Sequence, residues 1–239
     1  MNSKFSVICI CMMAYFIVQA QDWTFGVDNE GYIHNWLALP AIQLPDEAGT
    51  HTEDAQKKYF EKEYFRGQRV ATPKDNEWVN VDGKELEWKS YRVEDPCWKF
   101  ESPVNNSIYF VVTYVIAKEE IKDVVLSIGS DDSSLWLLNF SEVLRIYAGR
   151  AVDKNSNKTL PLTLNKGMNV LQAMVINGNG EAGVSARFLD KNGDPVKDIR
   201  IATEPMKAPS KEAKKDVPVK EKPGTPAVPV AKEEKPPSK

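Results

Sequence analysis

The residues best suited to chemistry in this sequence are two adjacent acids, Asp131 and Asp132, inside the run LSIGSDDSSLWLLNFSEVLRIYAGR from Leu126 to Arg150. Neighbouring aspartates in a polar turn accept backbone N–H bonds and hold the loop. As a hydrolytic pair they are poorly placed. Glycoside hydrolysis needs two carboxyls facing each other across the scissile bond, ~5 to 9.5 Å apart, and adjacent residues in a turn point their side chains apart. A second candidate is the thiol of Cys97 in DPCWKF, with His34 and His51 the only histidines. Neither histidine has a motif around it, so Cys97 reads as a buried structural cysteine. Asp190-Lys191-Asn192-Gly193-Asp194 echoes a calcium loop but lacks the remaining positions and the terminal Glu of an EF-hand; it reads as an Asn-Gly hairpin turn. There is no Ser/His/Asp set, no HExxH, no phosphate-cradling loop and no Rossmann fingerprint. The expectation is a protein that is not an enzyme.

The elements that must position the two aspartates read as strands. A β-prone run ends at Ile128, the turn formers Gly129 to Ser134 follow, and an apolar run resumes from Leu135 to Phe140, which predicts a hairpin with the carboxylates at its tip. Upstream, Tyr32 to Leu39 is a strand closed by Pro40, with Trp36 as core, and AQKKYFEKEYF has the spacing of a short amphipathic helix, placed across one open end of the fold. Asp82-Gly83 between alternating segments predicts a hairpin within Glu77 to Val93. Ile108 to Ala117 (IYFVVTYVIA) is the most β-prone run and predicts a central strand, followed by Ile121 to Ile128. Further strands are Met168 to Ile176, Gly183 to Leu189 with Val184, Ala186 and Phe188 inward, and Val196 to Ile201, separated by Asn/Gly/Asp turns. This spacing predicts an all-β fold, a jelly-roll-like antiparallel β-sandwich with one short helix.

Composition bounds the setting. The chain has 239 residues, enough for one domain of about 180 residues once both ends are subtracted. Lys4, the apolar stretch Phe5 to Val18 and the site Val18-Gln19-Ala20 read as a secretory signal cut after Ala20. That predicts an exported, periplasmic or extracellular protein. The leader also carries Cys9 and Cys11, leaving Cys97 as the sole mature cysteine and excluding an intrachain disulfide. No later segment has the length and apolarity of a transmembrane helix. Residues 21–205 form the expected domain. From residue 206 to 239 the chain has no aromatic, Leu or Ile and is rich in Lys and Pro, which predicts a disordered, solvated spacer. The tail is net +4 while Gln21 to Pro205 holds 21 basic and 29 acidic residues, a net of −8. An acidic body excludes nucleic acid as the expected partner, since that binding relies on Lys and Arg neutralising phosphates.

The segments NWLALPAI, LEWKSY, IYFVVTYVIA, IGSDDSSLWLLNFSEV, YAGRAVD, LPLTLNKGMNVLQAMVING and SARFLDKNGDPVKDI together resemble a secreted bacterial β-sandwich, similar to the galactose-binding-like and PA14-like jelly-roll domains of planctomycete-type envelope proteins. The resemblance runs from Tyr32 to Ile201. It implies a non-catalytic module that binds a glycan or another cell-envelope polymer, expected here as a monomer. A structural or assembly protein docking on an envelope complex without a small ligand is the alternative. In PA14-like lectins paired aspartates at this turn hold Ca²⁺, which coordinates sugar hydroxyls, so the resemblance marks Asp131 and Asp132 as candidate calcium ligands. Ca²⁺ takes six to eight oxygens, more than two carboxylates supply; Asn139, Asn177 and Asn179 are the candidates to add carbonyl oxygens. Asp131, Asp132 and Asn139 are the expected polar sugar contacts, with Trp136 among the aromatics available for stacking on a pyranose face. One departure stands out: where the family commonly has Trp-Leu-Asn-Gly, this chain has Phe140 in place of the glycine.

Overall fold

The computed structural model describes residues 24–45 and 52–206. The leader, residues 46–51 with His51, and the tail beyond Met206 lie outside the described residues, and so do the signal-peptide and disordered-tail expectations. No helix among the described residues is long and apolar enough to cross a membrane.

In chain order the elements are β1 (Phe25–Gly26), β2 (Asn35–Ala38), β3 (Ile42–Gln43), α1 (Glu53–Glu61), β4 (Trp78–Val81), β5 (Lys84–Glu87), β6 (Lys89–Arg92), β7 (Trp98–Lys99), β8 (Ser107–Ala117), β9 (Ile121–Asp131), β10 (Ser133–Leu138), β11 (Ser141–Ile146), β12 (Asn157–Lys158), β13 (Leu162–Leu164), β14 (Gly167–Asn177), β15 (Gly183–Leu189) and β16 (Ile199–Ala202). They form the expected antiparallel sandwich. The larger sheet runs β1-β16-β8-β14-β10-β11, with β2 and β3 also on β8 and β6 on β2; the smaller runs β12-β9-β15-β7, with β13 beside β9. β8 is central, as its composition predicts, and pairs with β14 over its whole length from Ser107↔Asn177 to Ala117↔Gly167.

Two cores result. Between the sheets, Tyr109, Val111 and Val115 of β8 meet Val124, Leu126 and Ile128 of β9 and Val184, Ala186 and Phe188 of β15. The alternate residues of β8, Ile108, Phe110, Val112 and Tyr114, face the other way and pack with Phe60, Tyr64, Phe65 and Trp88. The larger sheet is therefore buried on both faces, which is why β8 reads as a continuous apolar run without alternation. The second face is covered by α1 and the segments after it. Thr52 caps α1 by accepting the Ala55 N–H at 3.3 Å, and Phe60 is inserted toward the sheet, its ring 6.2 Å from that of Tyr147. This corrects the placement of the helix at an open end: its apolar stripe is needed to cover a sheet face. The Asp82-Gly83 hairpin is present as β4–β5, both turn residues having positive φ, 49° and 84°.

The larger correction concerns Asp131 and Asp132. β9 and β10 are not a hairpin. β9 lies in the smaller sheet against β15, while β10 lies in the larger between β14 and β11. The two aspartates mark the corner where the chain leaves one sheet for the other.

Candidate functional site

The corner is built outward from the core. Trp136 donates its indole N–H to Ser134 Oγ at 3.0 Å, Ser134 Oγ donates to Ser130 Oγ at 2.9 Å, and Ser130 Oγ donates to the Asp132 carbonyl at 2.8 Å. Gly129 admits no side chain, because a Cβ there would lie 1.8 Å from the Asp153 carbonyl oxygen; the chain around Asp153 is thus pressed against the end of β9. The peptide joining Asp131 to Asp132 is cis. Asp132 ties three segments together: its N–H donates to Ile176 O at 3.1 Å, its Oδ1 accepts from Arg150 N at 2.7 Å and its Oδ2 from Gly178 N at 2.9 Å. That is the loop-holding role open to an aspartate in a turn.

Asp131 is different. It is 5% exposed and opposes Gly183 across the ladder. Burial pushes its carboxyl up to about 6, the negative charges of Asp132 and Glu181 add to the shift, and the Val152 N–H and Lys99 oppose it. Arg150 closes one side. Its Nε donates to Ser130 O at 3.0 Å, one Nη to Ser130 Oγ at 2.9 Å and the other to Asn157 Oδ1 at 2.5 Å. Burial lowers its pKa from the ordinary value, against the two aspartates. Above this floor lies an open depression of about 440 Å³ whose lining includes Asp131, Asp132, Arg150, Asn179 and Glu181. Lys99 Nζ stands 2.6 Å from Glu181 Oε2.

The structure brings together Asp131, Asp132 and Asn179, but not the other expected site residues. Asn139 is at the far end of β10, about 20 Å away at ~3.3 Å per strand residue. Its side chain donates to Asn169 Oδ1 at 2.8 Å and accepts from Val170 N at 3.0 Å, fastening the β10–β11 turn to β14. Trp136 is 0% exposed in the core between the sheets, so it presents no face to a ligand. Asn177 is fully buried and donates to Val104 O at 2.9 Å. The expectation that Cys97 is buried is also corrected: it is half-buried, its thiol pushed up by burial and by Asp95. His34 has no free ring nitrogen to offer a thiol, since Nδ1 is 2.8 Å from Val93 O and Nε2 is 3.0 Å from Asp28 Oδ2. The Asp190 carboxylate accepts the N–H groups of Asn192 and Asp194 at 2.8 and 2.9 Å, a closed turn. Sequence reasoning missed Arg150, Glu181 and Lys99 as site residues. Their only signal is position: Arg150 follows Gly149, Glu181 follows Gly180, and Lys99 ends β7 beside Trp98.

Among the described residues no three His, Cys, Asp or Glu side chains stand close enough together to hold a metal. Oxygen is the donor type that Asp131, Asp132, Asn179 and Glu181 bring to the lining of one depression, and it is the type calcium takes, although Glu181 is paired with Lys99. Burial and, after it, the charge of Asp132 lift Asp131; a positive ion relieves the second of these.

No protein-family model and no curated protein matches the chain. Among solved structures it is similar to the PA14 domain of the MpAFP antifreeze protein, with a TM-score of 0.33 and 14% identity over 44% of this chain and 57% of that one. It is also similar to the epithelial adhesin 9 A domain from Candida glabrata in complex with Galb1-4GlcNAc, with a TM-score of 0.43 and 10% identity over 75% of this chain and 94% of that one. A third similarity is to the β-glucosidase from Kluyveromyces marxianus in complex with glucose, with a TM-score of 0.34 and 15% identity over 69% of this chain and 17% of that one.

Proposed function

We propose that this chain is an exported, non-catalytic glycan-binding module of the cell envelope, taking its sugar at the sheet-switching corner. The observation that carries the reading is the depression of about 440 Å³ in which Asp131, Asp132, Arg150, Asn179 and Glu181 face one space. Carboxylates, an amide and a guanidinium offer paired donors and acceptors of the kind that adjacent sugar hydroxyls require. Aromatic stacking has no part in it. Of the five described tryptophans, Trp36, Trp88, Trp98 and Trp136 are buried, and only Trp78 is exposed, at 58%, on the β4–β5 hairpin. Asp132, with both oxygens accepting backbone N–H bonds, is a poor nucleophile or base, which supports binding over turnover.

Calcium, when bound, would supply positive charge and coordination positions for sugar hydroxyls, and Asp131, Asp132 and Asn179 would hold it. In this reading Asp131 meets the sugar at the floor of the depression, Asp132 keeps the loop of Gly178 and the segment of Arg150 in place, and Arg150 lines the depression beside them.

Thermal unfolding of the purified chain, with Ca²⁺ or EDTA and across a panel of neutral oligosaccharides, tests this. A ligand at 100 times its Kd stabilises by roughly 2.7 kcal/mol, an easily read rise in Tm. The expected result is a Ca²⁺-dependent rise with at least one oligosaccharide that is lost in Asp131→Asn. No rise with any of them rejects the reading.

A further inference from the structure

We propose that a second depression, where β1, β2, β6 and β16 meet, is a binding site for the oxyanion group of an anionic ligand, a carboxylate or a phosphate. It has a volume of about 730 Å³, and Asn35, Arg92 and Arg200 are among the residues lining it. It shares no lining residue with the Asp131 corner and stands independently of the reading given to that corner.

Three side chains carry the inference. Asn35 is 4% exposed, yet among the described residues its side-chain amide has no hydrogen-bond partner, while its backbone carbonyl is taken by Thr113 Oγ1 at 2.8 Å. The amide atoms are not sealed from solvent; they open onto the depression that Asn35 lines, with donor and acceptor unspent. Arg92 makes no hydrogen bond or ion pair among the described residues; its guanidinium sits 5.7 Å from the centroid of the Phe25 ring, held by the ring face with its donors unspent. Arg200 is anchored on one side only, donating from Nε to Thr24 Oγ1 at 3.3 Å and from one Nη to Thr24 O at 2.6 Å. Its other Nη is the atom nearest to Gly26, 3.5 Å from where a Cβ would stand. The two guanidiniums thus flank the short strand β1.

Two acids, Asp28 and Glu94, share the lining with the two arginines, but neither is ion-paired with them among the described residues. Asp28 is committed: Oδ1 accepts the N–H groups of Glu30 and Tyr32, each at 2.8 Å, and Oδ2 faces His34 Nε2 at 3.0 Å. Glu94 is the one remaining carboxylate in the lining. In a body of net charge −8 this lining is formally neutral, two arginines against Asp28 and Glu94, and its guanidiniums have no ion-pair partner among the described residues. Guanidinium forks bind carboxylate and phosphate oxygens bidentately, and the Asn35 amide adds a donor and an acceptor beside them.

The test is isothermal titration of the full chain at low ionic strength with sodium glucuronate, inorganic phosphate and, as the neutral control, glucose. Glucuronate or phosphate is expected to bind, weakening at least tenfold in Arg92→Gln and in Arg200→Gln and unchanged in Asp131→Asn. Arg92 is exposed and unbonded, so its variant retains the fold. Binding by glucuronate alone identifies a saccharide carboxylate as the source, and binding by phosphate alone a phosphate group; either supports the site. Equal binding by wild type and both arginine variants, or no binding of either anion to wild type, overturns it.

Discussion

Asp131 couples the two demands made on the corner, to fold and to bind. Its carboxyl is pushed up to about 6, chiefly by burial and then by Asp132, so the folded state holds this proton more tightly than the unfolded chain. A raised carboxyl contributes stability that is fully present below the ordinary value near 4 and is lost as pH rises through about 6. At neutral pH the native state carries a buried anion beside a second one. Asp131→Asn removes that titration while leaving an oxygen to accept the Val152 N–H. The expected outcome is a variant roughly 1 kcal/mol more stable than wild type at pH 7 and about equal to it at pH 4, measured by urea unfolding at the two values. A residue whose removal strengthens the fold at working pH and abolishes the glycan response belongs to binding.

At the scale of elements, the β10–β11 turn shows how far local residues can be overruled. Asn139 and Phe140 both take positive φ, 50° and 69°, with Leu138 opposite Ser141, the two-residue hairpin that favours Asn-Gly. Phenylalanine in the left-handed region is strained by roughly 1–2 kcal/mol relative to glycine, and at 40% exposure it recovers only part of that by contact. Phe140→Gly is expected to raise stability by about 1 kcal/mol, read as a shift in urea midpoint with an unchanged slope; a loss instead would mean that the ring is held by packing. The turn itself was legible only through the resemblance, whose pattern has a turn here, since the apolar run from Leu135 continues to Phe140 and marks no stop of its own. The corner at Asp131 was not. Gly129 to Ser134 between two β-prone runs is equally consistent with a hairpin and with a crossing between sheets. What decides is that Ser133 to Leu138 pairs with β14, a partner more than thirty residues away. The same holds for α1: its period was readable from Ala55, Tyr59 and Phe60, but the sheet face it covers depends on β8 having two apolar faces. The lack of alternation in SIYFVVTYVIA already pointed to that. The candidate site divides along the same line. Asp131 and Asp132 stood out by type and Asn179 as a candidate carbonyl donor, whereas Arg150 and Glu181 join them only through the way the chain folds around the ends of β9, β14 and β15.

At the scale of the whole molecule the charges are unevenly shared, −8 over Gln21 to Pro205 against +4 from residue 206 onward. Opposite signs on one chain raise the question of what the tail contributes to stability, and two physical arguments bear on it. Residues 207–239 contain no aromatic, Leu or Ile, so there is little apolar area to offset the entropy of fixing them, ~1–2 kcal/mol per residue. Exposed charges more than a Debye length apart, ~8 Å at physiological salt, are largely screened. Among the described residues, the buried members of the two cores run from Ile33 to Ala202. Deleting residues 207–239 is therefore expected to leave Tm within about 2 °C of the full chain at 0.15 M salt, since a change of 1 kcal/mol moves Tm by about 2–4 °C in a domain of this size. A fall of several degrees that vanishes in 1 M salt would show instead that the basic tail docks on the acidic body, and would make the tail a competitor for the cation expected at Asp131.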